Sequence, residues 1–465
     1  MAESQTNFAW ATLLELTGAG PAHERLARAL RSAIRDGRLP DGSAVPPSRA
    51  LAEELACSRW VVTEAYGQLA AEGYLSARVG SATRVSWAPQ VPATAGRTRP
   101  RRSAAPPRFD LAPGLPDLRA FPRRRWAESV RAVTGSTGHY DLGLPDPDGH
   151  PDLRATLGEY LRRSRGADTT GAAVVVTAGI TDGLARVCRA LRAAGAAEIG
   201  VEDPGWGRLT AAARSCGLRV RPIAVDADGL RVEELARRPG LRAVVVGAAH
   251  QFPTGVVLSP ARRAALIQWA RTVDGVVLED DYDAEFRYDR RPVAVLQGMD
   301  PGRVFLLGSV SKTLSPALGL GWLLTPGAWA GPVRSANVAA PAPSVLDQLA
   351  LATFVDRGWY DAHLRAARRR YRARRDILVD LLGSRIPAGR IGGTAAGLHI
   401  VLHLPAGTDA AAVVRRAAAG GLTVMDLAAY GTGGPALVLG YGNIPDAQLP
   451  AAVAVLRAAL HPAAP

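Results

Sequence analysis

Between residues 21 and 38, Leu26, Leu30 and Ile34 recur on one stripe of an otherwise charged run, the spacing of a helix that buries a single face, and Asp36-Gly37 stops it. A second short helix is predicted from Pro47-Ser48-Arg49 through LAEELA, then a turn at Cys57-Ser58 and a third helix over RWVVTEAYGQLAAEG. Two short helices about a tight turn predict a helix-turn-helix. After Gly73, YLSAR and ATRVS read as two strands around Gly80-Ser81, the wing of a winged helix, and the α+β unit is expected over residues 11–85. Residues 86–107 carry Pro, Ala, Arg and Gly with no apolar period, which predicts an extended linker. Its Arg97, Arg99, Arg101 and Arg102 either touch DNA phosphate or are solvated.

From Phe109 onward the period changes. AAVVVTAG, AEIGVED, LRAVVVGAAHQ, GVVLEDD and RVFLLGS are short apolar runs, each followed by helix-like sequence, which predicts an α/β domain with a parallel or mostly parallel sheet covered on both faces. In such sheets ligands bind beyond the carboxyl ends of the strands, and all five runs end in small or polar residues there. From about residue 345, two long helices precede AGLHIVLHL, AAAVVRRAAAGGL and ALVLGY, a small C-terminal α+β lobe that completes a domain expected over 108–461.

Composition sharpens this picture. The chain has 465 residues and a net charge of +14, which attracts polyanions such as nucleic acid or a phosphorylated ligand. Cys57, Cys188 and Cys216 are too scattered for a CxxC pair, and no apolar stretch approaches the ~18 residues of a membrane span, so a soluble, cytoplasmic, nucleoid-associated protein is expected. Of the 56 basic residues other than histidine, only Lys312 is lysine. Arginine carries charge as well as lysine does, but its guanidinium stays protonated and cannot form a Schiff base. Lys312 closes the loop Gly308-Ser309-Val310-Ser311 after a strand-like run, the setting of a lysine that holds pyridoxal phosphate (PLP); the alternative is one surface lysine left by an arginine-biased genome.

Other strand ends complete the chemistry. Glu279-Asp280-Asp281-Tyr282-Asp283 could be a magnesium site, a solvated strand end or a cofactor anchor. PLP needs a carboxylate on its pyridine nitrogen and a donor near its phenolic oxygen, roles that suit Asp280 and Tyr282. No further spaced ligands accompany them, so no metal is expected. Gly179, Ile180, Thr181 and Asp182 stand at a strand-to-helix turn where free amides receive a phosphate, with hydroxyls from Ser309 and Ser311; Asp182 is otherwise a plain helix cap. Trp206 either stacks on a planar ring or sits in the core, and Arg208 would meet an anionic ligand or the phosphate. His250 and Gln251 offer polar groups to the ring edge, whereas His399 and His403 read as structural. In the N-terminal unit, Ser58, Arg59, Trp60 and Thr63 would face the major groove of double-stranded DNA, and Arg49, Arg78 and the turn at Gly80 would hold phosphates; a protein-interaction module is the alternative.

Read together, LPDGSAVPPSRALAEEL, CSRWVVTEAYGQLAAEGYL, YDLGLPDPDGHPDLRATLGEYL, VEDPGW, HQFPTG, EDDYDAEFRY and GSVSKTLSPALGLGW resemble a MocR-type regulator. That branch of the GntR superfamily joins a winged helix to a fold-type I aminotransferase-like domain. The resemblance covers nearly the whole chain. It implies Lys312 as the internal-aldimine lysine, Asp280 on the pyridine nitrogen, Tyr282 facing the phenolic oxygen, and a homodimer in which each winged helix rests on the other subunit. It further implies a regulator that responds to PLP or to a small amine or amino acid; the competing reading is a working aminotransferase with a winged-helix appendage. Two departures stand out. Gly319 occupies the place where the family commonly has a phosphate-gripping arginine, and Pro435 and Ala436 stand where aminotransferases place the arginine for a substrate carboxylate. Efficient transamination is therefore not expected, and PLP itself is the expected effector. Phe252-Pro253 likewise replaces the aminotransferase Asn-Pro pair.

Overall fold

The computed structural model describes Trp10, Leu14, residues 16–17, 19–77, 82–87, 107–288, 293–338, 340, 342–386 and 390–461. The chain forms two compact units, Met1–Ala104 and Ala105–Pro465.

In the first unit, helices α1 (Ala22–Arg35), α2 (Ser48–Glu54) and α3 (Arg59–Ala71) are followed by the short strands β1 (Leu75–Ser76) and β2 (Arg84–Val85). Leu26, Leu30 and Ile34 all point inward, packing with Leu51, Val62 and Leu69, so the predicted stripe is the core-facing one. The tight turn between α2 and α3 ends at Ser58, whose hydroxyl accepts from the Val61 amide at 3.4 Å and caps α3. β1 and β2 pair antiparallel, Leu75 opposite Val85. The unit extends past both expected boundaries. Trp10 and Leu14 join its core, and Trp87, read as linker, stacks on Tyr74 with ring centroids 4.7 Å apart. Arg78, Gly80 and the arginines of the linker lie outside the described residues.

The second unit opens with β3 (Phe109–Asp110), α4 (Arg123–Ser136) and α5 (Pro151–Arg165). There follow β4 (Ala173–Thr177), α6 (Ile180–Ala193), β5 (Glu198–Asp203), α7 (Gly207–Ser215), β6 (Arg219–Asp226), β7 (Gly229–Leu230), α8 (Val232–Ala236), β8 (Ala243–Val246), α9 (Pro260–Thr272), β9 (Val276–Asp280), β10 (Val304–Ser309) and β11 (Gly321–Thr325). Eight of these strands form one sheet in the order β4-β11-β10-β9-β8-β5-β6-β7. Strands β10, β9, β8, β5 and β6 pair parallel, and all five apolar runs of the sequence lie in this sheet. The sheet is mixed because β11 runs antiparallel to both β10 and β4. β8 and β9 are buried at every position, as expected for strands covered on both faces.

The chain continues through α10 (Gly327–Ser335), α11 (Val345–Asp356) and the long α12 (Trp359–Arg385) into a four-stranded antiparallel sheet. That lobe contains β12 (Arg390–Gly392), β13 (His399–His403), α13 (Ala410–Ala419), β14 (Leu422–Thr423), β15 (Met425–Asp426), β16 (Ala436–Gly440) and α14 (Leu449–Leu460). Its boundary differs from the sequence reading. β3, from the start of the unit, pairs parallel with β14, which carries residues 111–115 along the lobe toward the end of the large sheet.

Beneath the carboxyl end of β9, Arg165 holds Asp281 through two hydrogen bonds of 2.8 and 2.7 Å, both side chains buried. Removing one partner of such a pair strands the other charge, so Asp281→Asn is expected to cost about 3–5 kcal/mol in urea unfolding. A loss below about 1 kcal/mol would show that water enters the pair.

Candidate functional site

The carboxyl ends of β4, β5, β9 and β10 converge on a cavity of ≈ 1020 Å³. Ten of the eleven residues expected from sequence to contact the cofactor line it: Gly179, Ile180, Thr181, Trp206, Arg208, Asp280, Tyr282, Ser309, Ser311 and Lys312. Gln251 does not. Its side-chain amide is taken up by the carbonyls of Pro204 (2.8 Å) and Phe252 (2.6 Å), and its carbonyl accepts from Thr254, so it braces the loop behind the cavity.

Lys312 is reached from β10 through a short loop that α12 clamps from behind. The Tyr360 hydroxyl donates to Thr313 Oγ1 at 2.9 Å, and His363 Nε2 meets the Thr313 carbonyl at 2.7 Å. The ammonium donates to the Gly114 carbonyl at 2.5 Å. Enclosure of Lys312 pulls its pKa down from the ordinary lysine value, opposed by the charges of Asp283 and Asp280. An amine so placed sheds its proton at lower pH than a free lysine does.

Asp280 is buried at the end of β9 and its Oδ1 has no hydrogen-bond partner. Burial, reinforced by Asp283 and Asp281, pushes its pKa up to about 7, while Lys312 pulls it the other way. Tyr282 bonds through its hydroxyl to His250 Nδ1 at 3.1 Å, and the same nitrogen lies 3.0 Å from Asp283 Oδ2. Tyr282 is held protonated, its pKa raised well above the free value by burial and by Asp283. His399 also borders the cavity, bonds the Pro253 carbonyl at 3.0 Å, and is kept neutral because burial lowers its pKa to about 3.

His250, Asp283 and His399 bring donor atoms within 4.8 Å of one another. Sequence spacing conceals the grouping, since they come from three separate strand ends, and each of these side chains already has a hydrogen-bond partner in the framework. The pairing of His250 with Asp283 and the approach of His399 were missed from sequence. His250 carried a signal as a polar residue after a strand, and Asp283 as a carboxylate inside the acidic run, whereas His399 read as structural.

One part of the cavity wall is built from backbone and hydroxyls, those of Gly179, Ile180, Thr181, Ser309 and Ser311. Gly179 sits at φ +124°, which only glycine adopts without strain, and turns β4 into α6 so that the first free amides of that helix face the cavity. Asp182 serves locally, accepting from the Ala178 amide at 3.0 Å and pairing with Arg186 at 3.1 Å. Gly319 follows a 3-10 turn at φ +57°, with open space where a side chain would stand. Within the C-terminal lobe, Ala436 and Val438 pack with Val401 and Leu427 near Phe252 and Tyr430, and neither lines the cavity. Among the described residues, Arg208 and Lys312 are the basic side chains other than histidine that line the cavity, and the Arg208 guanidinium lies 5.9 Å from the Trp206 ring.

In the first unit, Ser58, Arg59, Trp60 and Thr63 are exposed at the start of α3, just after the turn, and Arg49 is exposed at the start of α2. Arg59 Nε donates to Ser48 Oγ at 3.2 Å, and the Thr63 hydroxyl returns to the Arg59 carbonyl at 3.0 Å. Trp60 is 61% exposed, supported at its edge by His23 with centroids 5.3 Å apart. An exposed tryptophan beside Arg59 at a helix N-terminus fits groove recognition.

Residues 22–85 match the bacterial regulatory proteins of the gntR family, and residues 117–419 match aminotransferase class I and II. The chain is 35% identical to the probable rhizopine catabolism regulatory protein MocR of Rhizobium meliloti, over 78% of this chain and 77% of that one. It is 33% identical to the HTH-type pyridoxine biosynthesis transcriptional regulator PdxR of Corynebacterium glutamicum, over 90% and 91%. Among solved structures, the kynurenine aminotransferase of Pyrococcus horikoshii superposes with a TM-score of 0.70 at 23% identity, covering 77% of this chain and 91% of that one.

Two outcomes are expected from this geometry. Arg59→Ala should weaken DNA binding by about 1–3 kcal/mol and flatten its salt dependence by about one counterion in a fluorescence titration. Glu202, Asp280, Glu279 and Glu285 have carboxyls pushed up to about 8, 7, 7 and 7 by burial, so the folded protein holds protons that the unfolded chain releases. Their contribution to stability is present below about pH 4 and lost as pH rises to about 8, so the ligand-free protein should melt at progressively lower temperature across that window.

Proposed function

The chain belongs to the MocR-type regulators of the GntR superfamily, in which a DNA-binding winged helix precedes an aminotransferase-like domain, and we propose that it binds PLP at Lys312 and changes its hold on DNA in response to PLP itself. The observation that carries this reading is the meeting of the chain's one lysine with an unpartnered buried carboxylate oxygen of Asp280 in one cavity. That oxygen lacks the partner a pyridine nitrogen would provide, and a buried polar atom without a partner costs about 1–3 kcal/mol, which a fitting ligand recovers. When bound, PLP supplies an aldehyde to an amine and an electron-withdrawing ring. Lys312 provides the amine, at a lowered pKa. Tyr282 donates toward the phenolic oxygen, with His250 and Asp283 fixing its hydroxyl. Trp206 offers a stacking face. The amides of Ile180 and Thr181 and the hydroxyls of Ser309 and Ser311 receive the phosphate, and Arg208 adds the nearby positive charge.

The effector reading rests on the cavity's cations. Pro435 and Ala436 stand where aminotransferases place the arginine for a substrate carboxylate, and Arg208 and Lys312 are the non-histidine cations among the described residues that line the cavity, so it favours the cofactor over an amino-acid substrate and the site regulates rather than transaminates. Control of vitamin B6 metabolism follows as the physiological role. The protein acts as a homodimer with its winged helices exchanged between subunits. Support for the dimer comes from the loop between α4 and α5, where Tyr140, Leu142 and Leu144 are 87%, 61% and 100% exposed, an apolar group that a second copy would cover.

Adding PLP should produce a visible absorption band that borohydride fixes onto Lys312, located by peptide mapping, and should shift DNA affinity in the same concentration range. Lys312→Ala should abolish both. Multiple turnovers with an amino donor and a keto acid would instead support the enzyme reading. Gly319→Arg should tighten PLP binding about tenfold, the ~1.4 kcal/mol left from a charge-assisted hydrogen bond after the strain of a left-handed residue. Unchanged affinity would mean that the backbone and hydroxyls already saturate the phosphate.

A further inference from the structure

Next to the cavity, behind Asp280, lies a second carboxyl that the binding chemistry above does not use. Glu202 is the last residue but one of β5. Part of the residue reaches solvent, but its carboxyl is closed in: Oε2 accepts from the Gly247 amide at 3.0 Å and from Gln251 Nε2 at 3.4 Å, and Oε1 is sealed without a partner. Asp280 Oδ1 is in the same condition. Both side chains border one small void of ≈ 10 Å³, whose other walls include Trp206, Leu209, Phe252 and Tyr282. A void of about that size takes one water, and only where polar groups line it.

We propose that Glu202 and Asp280 share one proton across this void through a single water, Glu202 being the neutral member, so that Asp280 carries the negative charge with which a pyridine nitrogen pairs. Two carboxylates on one enclosed site cannot both ionise cheaply. Which one keeps the proton is decided by the neighbours. Asp280 faces the cation of Lys312 as well as the acids Asp283, Asp281 and Glu279, and Asp283 is itself paired with His250. Glu202 faces the Gly247 amide, the Gln251 side chain, Asp280 and the Tyr282 phenol, with no cation among them. Its two hydrogen-bond donors both address Oε2, which leaves Oε1 to carry the proton toward the void. Enclosure accordingly raises Glu202 further, to about 8, than Asp280, to about 7. Glu202 is thus a positioning residue that sets the charge of Asp280.

The proposal rests on the cavity being the PLP site, but half of its test does not. In the full-length protein without PLP, the infrared stretch of protonated carboxyls at about pH 7 should lose one component in Glu202→Gln, which keeps an acceptor for Gly247. Retention of that component, or its loss in Asp280→Asn alone, would overturn the assignment. With PLP as titrant, the wild-type Kd between about pH 7 and pH 9 should fall about tenfold relative to that of Glu202→Gln, because ionising Glu202 places a second negative charge beside Asp280, facing the pyridine nitrogen's proton. Parallel pH curves, with PLP bound by both proteins, would also overturn it. Failure of both proteins to take up PLP would sink the reading of the cavity, while the infrared component still decides the proton. If Glu202→Gln does not fold, Asp280→Asn serves: the infrared midpoint of Glu202 should fall below about 8, and an unmoved midpoint counts against the pair.

Discussion

The site depends on the opposition of Asp280 and Lys312 in an enclosed place. Each is displaced from its ordinary ionisation by loss of water, and each is partly restored by the other. The fold makes this possible by ending two neighbouring parallel strands together: β9 delivers the carboxylate and β10, one strand away, the lysine loop. Side-chain alternation along β9 then sorts the acidic run. Asp280 shares the face of Val276 and Leu278, whereas Glu279 shares the opposite face with Val277. Asp281, just past the strand, is neutralised from beneath by Arg165. One acid is reserved for the cavity because its neighbours are otherwise engaged.

In the proposed PLP site, anion recognition falls to groups that cost little to hold in place. The turn at Gly179, the first amides of α6 and two serine hydroxyls are fixed by the backbone they belong to, whereas a guanidinium at position 319 would have to stand on a left-handed residue. The same economy governs the first unit, where the Ser58 cap fixes the start of α3 and leaves Arg59 and Trp60 facing outward. In the proposed reading the two units thus use helix N-termini in different ways, one to receive a small anion and the other to aim side chains.

The cavity is also lined by residues far apart in the chain. Gly114 meets Lys312 because β3 pairs with β14, and Leu398, His399 and Tyr430 enter from the C-terminal lobe. The site is therefore closed by the packing of the lobe on the sheet, and its enclosure, the source of every shifted ionisation in it, is a tertiary property.

The sequence by itself determined the helix stripe of Leu26, Leu30 and Ile34, the five apolar strands, the uniqueness of Lys312 and the polar strand ends that gather around it, because periodicity and residue chemistry are local. It placed Gln251 at the ring edge, since a polar residue after a strand points there by default; only the folded loop shows that its amide turns to the carbonyls of Pro204 and Phe252 and, at longer range, to Glu202. It missed the antiparallel insertion of β11, because an apolar run carries no direction, and it gave Trp87 to a linker because its stacking partner is Tyr74 in another element. Glu202 was visible only as one letter of VEDPGW. Its role, like the approach of His250, Asp283 and His399, depends on which strand ends become neighbours, and strand order is decided by long-range packing rather than by any local pattern.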